Sequence, residues 1–128
     1  HVILRGGKTP NFDAANVESA SQVLAKSGLE PRLMIDASHA NSGKNPDNQP
    51  AVIEDIAAQL EAGETRIIGV MVESNLVAGQ QSLVPGQPLV YGQSVTDGCI
   101  GGDVSAAVLE RLAQAVRGRR ATAAAKAA

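Results

Sequence analysis

The stretch LMIDASHANSGKNPDNQPAVIEDIAAQLEAG, residues 33–63, holds a strand, a polar loop and a helix in that order. The run from Leu33 to Ile35 is apolar and too short to be a helix, so it predicts a buried strand. Residues 40–49 are rich in Asn, Gly and Pro and predict a loop. Pro50 suits the first turn of a helix that ends before Gly63. The apolar face of this helix consists of Val52, Ile53, Ile56, Ala57 and Leu60.

The same order of elements recurs on both sides of this stretch. The runs from Val2 to Leu4 and from Ile67 to Val72 are also short and rich in β-branched residues, and both are predicted as buried strands. A helical pattern follows each of them. Strand and helix therefore alternate three times, which predicts an α/β fold with a parallel sheet whose strands are covered on both faces.

The two flanking helices are bounded by local signals. Asp13 is a natural N-cap and Gly28 ends the first helix. The last helix is predicted to begin near Asp103 or Ser105. The side chains expected to face the core from these two helices are Val17, Ala20, Val23, Leu24, Val104, Val108, Leu109, Leu112 and Val116. The Ala-rich tail over 121–128 is expected to fray or to extend the last helix.

Composition excludes several classes of function. The 128 residues suffice for one domain, and their net charge of −2 disfavours an electrostatic grip on DNA or on an anionic membrane. Aromatic residues make up 2% of the chain, too few for an RNA-stacking surface. The single cysteine, Cys99, excludes an internal disulfide and a zinc module built from cysteines alone. No apolar run approaches the ~20 residues that a membrane span needs, so neither nucleic acid nor membrane is an expected partner.

A long connection, residues 74–102, precedes the last helix. Pro85-Gly86 lies in it between Leu83 and Leu89 and predicts a small hairpin. A connection of this length in a compact domain is usually functional.

Polar side chains follow each predicted strand at its carboxyl end, where parallel α/β folds bind their ligands. His39 follows the second strand, Glu73 follows the third, and Asp97 lies in the long connection. One imidazole and two carboxylates suit Mn²⁺, Fe²⁺, Zn²⁺ or another first-row divalent ion. Arg5, after the first strand, offers a planar fork for phosphate or carboxylate, and Lys44 adds a second cation.

Each of these residues alone also has an ordinary structural interpretation. His39 and Glu73 could be hydrogen-bonding loop residues, and Asp97 in Thr-Asp-Gly is a good turn residue. Cys99 is expected to be a small apolar filler rather than a ligand. The residues by themselves leave three hypotheses open: a metal-dependent enzyme, a non-catalytic module that binds phosphorylated metabolites, and a structural fragment of a larger protein.

Four sequence motifs, one at each strand end and one in the long connection, resemble a known family. The chain is similar, up to about Arg120, to the C-terminal part of the class I (type Iα) 3-deoxy-D-arabino-heptulosonate 7-phosphate (DAHP) synthases. The related 3-deoxy-octulosonate 8-phosphate synthases are the alternative family. The matching stretches are HVILRGGKTPN at 1–11, MIDASHANSGKN at 34–45, IIGVMVESNLVAGQQ at 67–81 and PLVYGQSVTDGCIGG at 88–102.

The resemblance implies a role for each predicted site residue. His39, Glu73 and Asp97 match three ligands of a catalytic divalent metal (Mn, Fe, Co or Zn), and no residue here matches the family's fourth ligand, a cysteine. Arg5 matches a residue that holds the phosphate of phosphoenolpyruvate. Asp97 and Lys44 are expected near the substrates.

The resemblance also implies a fold and a reaction. The family fold is a (β/α)₈ barrel, so residues 1–120 are expected to be the last three of its eight strand–helix units. The implied reaction condenses phosphoenolpyruvate with erythrose 4-phosphate, in the shikimate pathway and in the cytoplasm. We expect the chain alone to lack activity, and we expect it to form a homo-oligomer or to associate with the N-terminal part of the enzyme.

Overall fold

The computed structural model describes residues 1–127, in which three helices alternate with the strands of a small parallel sheet. A second pair of very short strands lies in the long connection. In chain order the strands are β1 (Val2–Leu4), β2 (Leu33–Asp36), β3 (Ile67–Met71), β4 (Val77–Gln80) and β5 (Gln93–Ser94). The helices are α1 (Ala14–Lys26), α2 (Gln49–Glu61), preceded by a 3₁₀ turn at Pro46–Asn48, and α3 (Gly102–Ala127).

The sheet has the strand order β1-β2-β3, and both pairings are parallel, as predicted. The register shifts once, because Leu33 pairs with Ile67 whereas Met34 pairs with Gly69. Parallel pairing brings the carboxyl ends of all three strands to one edge of the sheet. Every site residue predicted from a strand end therefore lies at that edge.

The helices start and pack much as the sequence predicts. The Asp13 carboxylate caps α1 by accepting hydrogen bonds from the backbone N–H groups of Ala15 and Asn16, at 3.0 and 3.1 Å. The whole predicted apolar face of α2 is buried. The core cluster combines this face with Leu4, Leu33, Ile35 and Ile67 of the sheet and with Val17, Val108 and Ala115 of α1 and α3.

The prediction that all three strands are buried was wrong for two of them. Val2 and Ile3 of β1 are 41% and 50% exposed, and Ile68 of β3 is 53% exposed. In β2, by contrast, Leu33 and Ile35 are fully buried. The reason is that β1 and β3 are the edges of a three-stranded sheet, so fewer neighbours cover them than cover the central strand.

Three side chains predicted to face the core are exposed instead. Val23 of α1 and Val104 and Leu109 of α3 lie outside the core, with Leu109 64% exposed. The buried stripe is narrower than predicted because each helix contacts the rest of the chain along one side only. The tail continues α3 through Ala127, and its last residue lies outside the described part. No helix within residues 1–127 is both long enough and apolar enough to cross a membrane.

The predicted hairpin between Leu83 and Leu89 does not form. A turn is present, closed by a hydrogen bond from the N–H of Gln87 to the carbonyl of Val84 at 3.1 Å, but no strands flank it. The Gln81 side chain bonds both the N–H and the carbonyl of Val90, which a partner strand would otherwise occupy. The short strands β4 and β5 pair in parallel instead.

Candidate metal and anion site

A cleft of about 520 Å³ opens at the carboxyl edge of the sheet. All five residues predicted for the site line it: Arg5, His39, Lys44, Glu73 and Asp97. Ser38, Gln80 and Gly98 complete the lining. The fold thus brings together side chains from three strand ends and from the long connection, which are far apart in the sequence.

His39 is fixed through one nitrogen of its ring. Its Nδ1 lies 2.8 Å from Oδ2 of Asp36, a carboxylate that is 3% exposed. A neutral imidazole that donates the Nδ1 proton to this carboxylate keeps the lone pair of Nε2 free for a ligand. Nε2 lies 3.8 Å from Oε1 of Glu73. The backbone of His39 is left-handed, with φ at 47°, which is uncommon for a residue with a side chain.

Glu73 is fixed at both its backbone and its carboxylate. The side chain of Gln49, fully buried at the start of α2, accepts a hydrogen bond from the Glu73 N–H and donates one to the Glu73 carbonyl, both at 2.9 Å. The hydroxyl of Ser38 donates to Oε2 of the Glu73 carboxylate at 2.6 Å. The position of Glu73 is therefore set by two other elements, α2 and the end of β2.

Asp97 reaches the cleft from the long connection, which returns to the sheet beside Glu73. The N–H of Ile100 donates to the Glu73 carbonyl, and the N–H of Asn75 donates to the Ile100 carbonyl, each at 3.0 Å. Gly98 lies close to the ring of Pro46: a Cβ added to Gly98 would be 3.1 Å from Cγ of Pro46. The long connection therefore contacts the loop before α2. Asp97 itself is exposed.

The three predicted ligands form one cluster. One ligand atom of each of His39, Glu73 and Asp97 lies within 4.8 Å of the others. A nitrogen and two carboxylate oxygens at this spacing fit a first-row divalent ion. Cys99 is partly exposed, and its Sγ contacts the Asp97 carbonyl at 3.6 Å rather than the cluster.

Arg5 and Lys44 supply the positive charge of the cleft. The loop after β1 is held against the loop after β2 by Asn41, whose buried amide donates to the carbonyls of Leu4 and Asp36 at 3.1 and 2.7 Å. The N–H of Lys44 donates to the His39 carbonyl at 2.7 Å and closes a turn that brings Lys44 back to the cleft. The site therefore combines two cations with two carboxylates and an imidazole.

Four residues of this site carried no role in the sequence prediction. Asp36 and Ser38 belong to the polar end of the second strand, and their proximity to His39 was the available signal. Gln49 precedes Pro50 and looks like any polar residue of a first helical turn. Gln80 lies in an uncharged stretch and gave no signal.

Three comparisons relate this chain to known proteins. A family model described as the DAHP synthetase I family matches residues 1–110. The chain is 52% identical over 120 residues to the "Phospho-2-dehydro-3-deoxyheptonate aldolase, Phe-sensitive" of Escherichia coli K12, covering 94% of this chain and 34% of that protein. It is also 52% identical over 131 residues to the phospho-2-dehydro-3-deoxyheptonate aldolase of Corynebacterium glutamicum, covering 96% and 35% of the two chains.

A solved structure agrees with these relatives. The phospho-2-dehydro-3-deoxyheptonate aldolase of Francisella tularensis SCHU S4 superposes with a TM-score of 0.88 at 46% identity, covering 93% of this chain and 35% of that one. The chain thus spans about a third of the length of the relatives that it matches.

Proposed function

The chain belongs to the DAHP synthetase I family, and we propose that it forms part of an enzyme that condenses phosphoenolpyruvate with D-erythrose 4-phosphate and water. The products are DAHP and inorganic phosphate. This is the first step of the shikimate pathway of aromatic amino acid biosynthesis, and we place it in the cytoplasm. The observation that carries the proposal is the convergence of His39, Glu73 and Asp97 with Arg5 and Lys44 in one cleft.

His39, Glu73 and Asp97 would hold the divalent ion of this enzyme. When bound, the ion supplies Lewis-acid stabilisation of the negative charge that develops on the aldehyde oxygen. The donor types suit Mn, Fe, Co and Zn, which all accept imidazole and carboxylate ligands. The carboxylate of Asp36 orients the imidazole of His39 for this role.

Arg5 and Lys44 would bind the anionic parts of the substrates. The planar guanidinium of Arg5 matches two oxygens of the phosphoenolpyruvate phosphate. Lys44 adds a point charge at the same cleft. In the reaction, the methylene carbon of phosphoenolpyruvate bonds to the aldehyde carbon, water adds to the carbon that bears the phosphate, and the C–O bond to phosphate breaks. Asp97, an exposed residue that lines the cleft, would contact the second substrate.

We further propose that the three strand–helix units belong to a (β/α)₈ barrel and that residues 1–120 are its C-terminal part. The chain spans about a third of its relatives, and the edge strands expose Ile3 and Ile68. Two phosphates and a carboxylate need more cations than Arg5 and Lys44 provide. The chain alone is therefore proposed to bind metal weakly, to lack turnover, and to associate with a copy of itself or with the rest of the enzyme.

Calorimetric titration of the 128-residue chain with Mn²⁺ tests the metal site. We expect binding that is at least about tenfold weaker in His39→Ala, because the ion loses its only nitrogen ligand in the cluster. Asp47→Ala is the matched control, since Asp47 is an exposed carboxylate in the neighbouring loop and is not part of the cluster. Equal Mn²⁺ affinity in the wild type and His39→Ala would contradict the proposal.

The substrate part of the proposal needs its own measurements. We expect phosphoenolpyruvate to bind more tightly in the presence of Mn²⁺ and more weakly to Arg5→Ala. If the affinity for phosphoenolpyruvate changes neither with added Mn²⁺ nor in His39→Ala, the chain is better explained as a non-catalytic module that binds phosphorylated metabolites. Formation of DAHP by the purified chain with metal and both substrates would overturn the proposed lack of turnover.

A further inference from the structure

The two carboxylate oxygens of Glu73 have different environments. Oε2 accepts a hydrogen bond from the Ser38 hydroxyl at 2.6 Å. Oε1 has no such donor within the described residues; it faces His39, 3.8 Å from Nε2. A hydroxyl that donates to a carboxylate at this distance forms a strong, charge-assisted bond. One oxygen of Glu73 is therefore occupied by the protein and the other points at the cluster.

Ser38 is itself held rigidly. It is 3% exposed, and its backbone N–H donates to Oδ1 of Asp36 at 2.8 Å. The other oxygen of Asp36, Oδ2, bonds the ring of His39. A single buried carboxylate thus orients both the residue that contacts Glu73 and the imidazole beside it. Gln49 fixes the Glu73 backbone from α2, so the point from which the Glu73 side chain extends towards Ser38 is fixed as well.

We propose that Ser38 is a positioning residue that makes Glu73 a ligand through one oxygen. A carboxylate can bind a metal through one oxygen or through both. Binding through both oxygens would place the ion on Oε2 as well, where it would compete with the Ser38 hydroxyl for the lone pairs of that oxygen. A buried hydroxyl that lost its partner would cost free energy, so coordination through Oε1 alone is favoured. The hydrogen bond therefore favours Oε1 as the only oxygen that Glu73 would give to the ion, beside the ligands from His39 and Asp97. This inference rests on the proposed metal site.

Titration of the chain with Co²⁺, followed by its visible absorption, tests the role of Ser38. We expect Ser38→Ala to bind Co²⁺ about tenfold more weakly, the lower end of the range for residues that orient a metal ligand. We also expect an altered absorption spectrum, because the carboxylate is then free to coordinate through both oxygens. Ser21→Ala is the matched control: Ser21 is equally buried, but its hydroxyl bonds the Val17 carbonyl within α1, away from the cluster.

The Glu73→Ala background separates the two proposals. If Ser38 acts through Glu73, adding Ser38→Ala to Glu73→Ala causes no further loss of Co²⁺ affinity. A further tenfold loss would overturn the inference, as would unchanged binding and absorption in the single Ser38→Ala variant. If Glu73→Ala itself binds Co²⁺ as the wild type does, the proposed metal site fails rather than the role of Ser38.

Infrared difference spectroscopy tests the same inference without replacing Ser38. Spectra of the wild-type chain with and without Zn²⁺ give the separation between the asymmetric and symmetric carboxylate stretches, and Glu73→Gln identifies the bands of Glu73. Coordination through one oxygen gives a wider separation than coordination through both oxygens, and the wider separation is the expected result. A narrow separation, as in two-oxygen coordination, would overturn the inference even if Ser38→Ala failed to fold.

Discussion

Two glutamines make the same pair of hydrogen bonds in two different regions of the molecule. Gln49 bonds the N–H and the carbonyl of Glu73, and Gln81 bonds the N–H and the carbonyl of Val90. The distances are 2.9 Å in the first case and 2.8 Å in the second. Gln49 is fully buried, whereas Val90 is 53% exposed. We call each of these two-bond contacts a glutamine clamp. The hydrogen-bond distances in the two clamps are nearly equal, so the clamps differ in how accessible their hydrogen bonds are to water.

The region around Gln49 is also more buried than the region around Gln81. The β2–α2 region, residues 33–61, supplies most of the buried core. The connecting segment, residues 74–96, contains no charged residue and exposes large apolar side chains such as Leu83 and Tyr91. The β2–α2 region positions His39 and Glu73, and the connecting segment leads to Asp97. In the candidate site, His39 and Glu73 are therefore held by the buried β2–α2 region, whereas Asp97 follows a segment whose apolar side chains are exposed.

The largest expected contrast between the regions is in core packing. Ile56→Ala in α2 removes a fully buried side chain and should lower the free energy of unfolding by about 2–5 kcal/mol. Leu83→Ala in the connecting segment, where the side chain is 68% exposed, should change it by less than about 0.5 kcal/mol. Urea unfolding followed by circular dichroism measures both. A loss at Leu83 as large as that at Ile56 would show that a partner surface covers the segment in solution.

The next contrast is between the clamps themselves. Gln49→Ala leaves the Glu73 N–H without its partner and leaves the Glu73 carbonyl with the Ile100 N–H alone, at a partly buried place, so we expect a loss of about 1–3 kcal/mol. Gln81→Ala should cost less than about 1 kcal/mol, because water can replace the side chain at Val90. The same urea titration compares the two variants directly. Equal losses would mean that access to water does not separate the regions.

We also expect Gln49→Ala to change Mn²⁺ binding at the candidate site. Since Gln49 fixes the backbone of Glu73, its loss should weaken Mn²⁺ binding, whereas Gln81→Ala should leave the affinity unchanged. The Mn²⁺ affinities of the two variants thus distinguish a clamp that only stabilises the fold from a clamp that also positions a metal ligand. Unchanged Mn²⁺ affinity in Gln49→Ala would assign Gln49 to stability alone.

The sequence was informative wherever the signal is local. Apolar runs locate β1, β2 and β3, Asp13 caps α1, and the apolar face of α2 is buried as predicted. The parallel order then brings the strand ends to one edge, which is why His39 and Glu73 meet. These features depend on residues within a few positions of each other and on a general rule of α/β folds.

The features that the sequence did not predict depend on distant contacts. Ser38 and Glu73 are 35 residues apart, and Gln49 and Glu73 are 24 apart, so neither contact leaves a local pattern. The hairpin prediction at Pro85-Gly86 was wrong because the side chain of Gln81 takes the backbone groups of Val90. The exposure of Leu109 likewise depends on which side of α3 the rest of the chain covers.

The smallest expected effect concerns charge. Arg66 follows α2 and holds Glu64 through two hydrogen bonds, from Nε at 2.8 Å and from Nη2 at 2.6 Å. These bonds hold the pKa of the Glu64 carboxyl below its ordinary value of 4.5. A carboxyl whose pKa is lowered by folding stabilises the fold above its unfolded pKa, and this contribution is lost as the pH falls through the folded pKa.

Glu64→Gln should therefore lower the free energy of unfolding at neutral pH by less than about 1 kcal/mol, the range of partly exposed ion pairs, and should lower it by less at about pH 3. Glu30→Gln is the control, because the Glu30–Arg32 pair is largely exposed. Urea titrations at the two pH values measure both variants. The connecting segment contains no charged residue. We therefore expect the hydrogen-exchange rate of the Val90 amide, corrected for the intrinsic exchange rate, to be the same in Glu64→Gln and in the wild type at both pH values. A loss of stability in Glu64→Gln that is as large at about pH 3 as at neutral pH would show that shape, and not charge, makes the Glu64 contact stabilising.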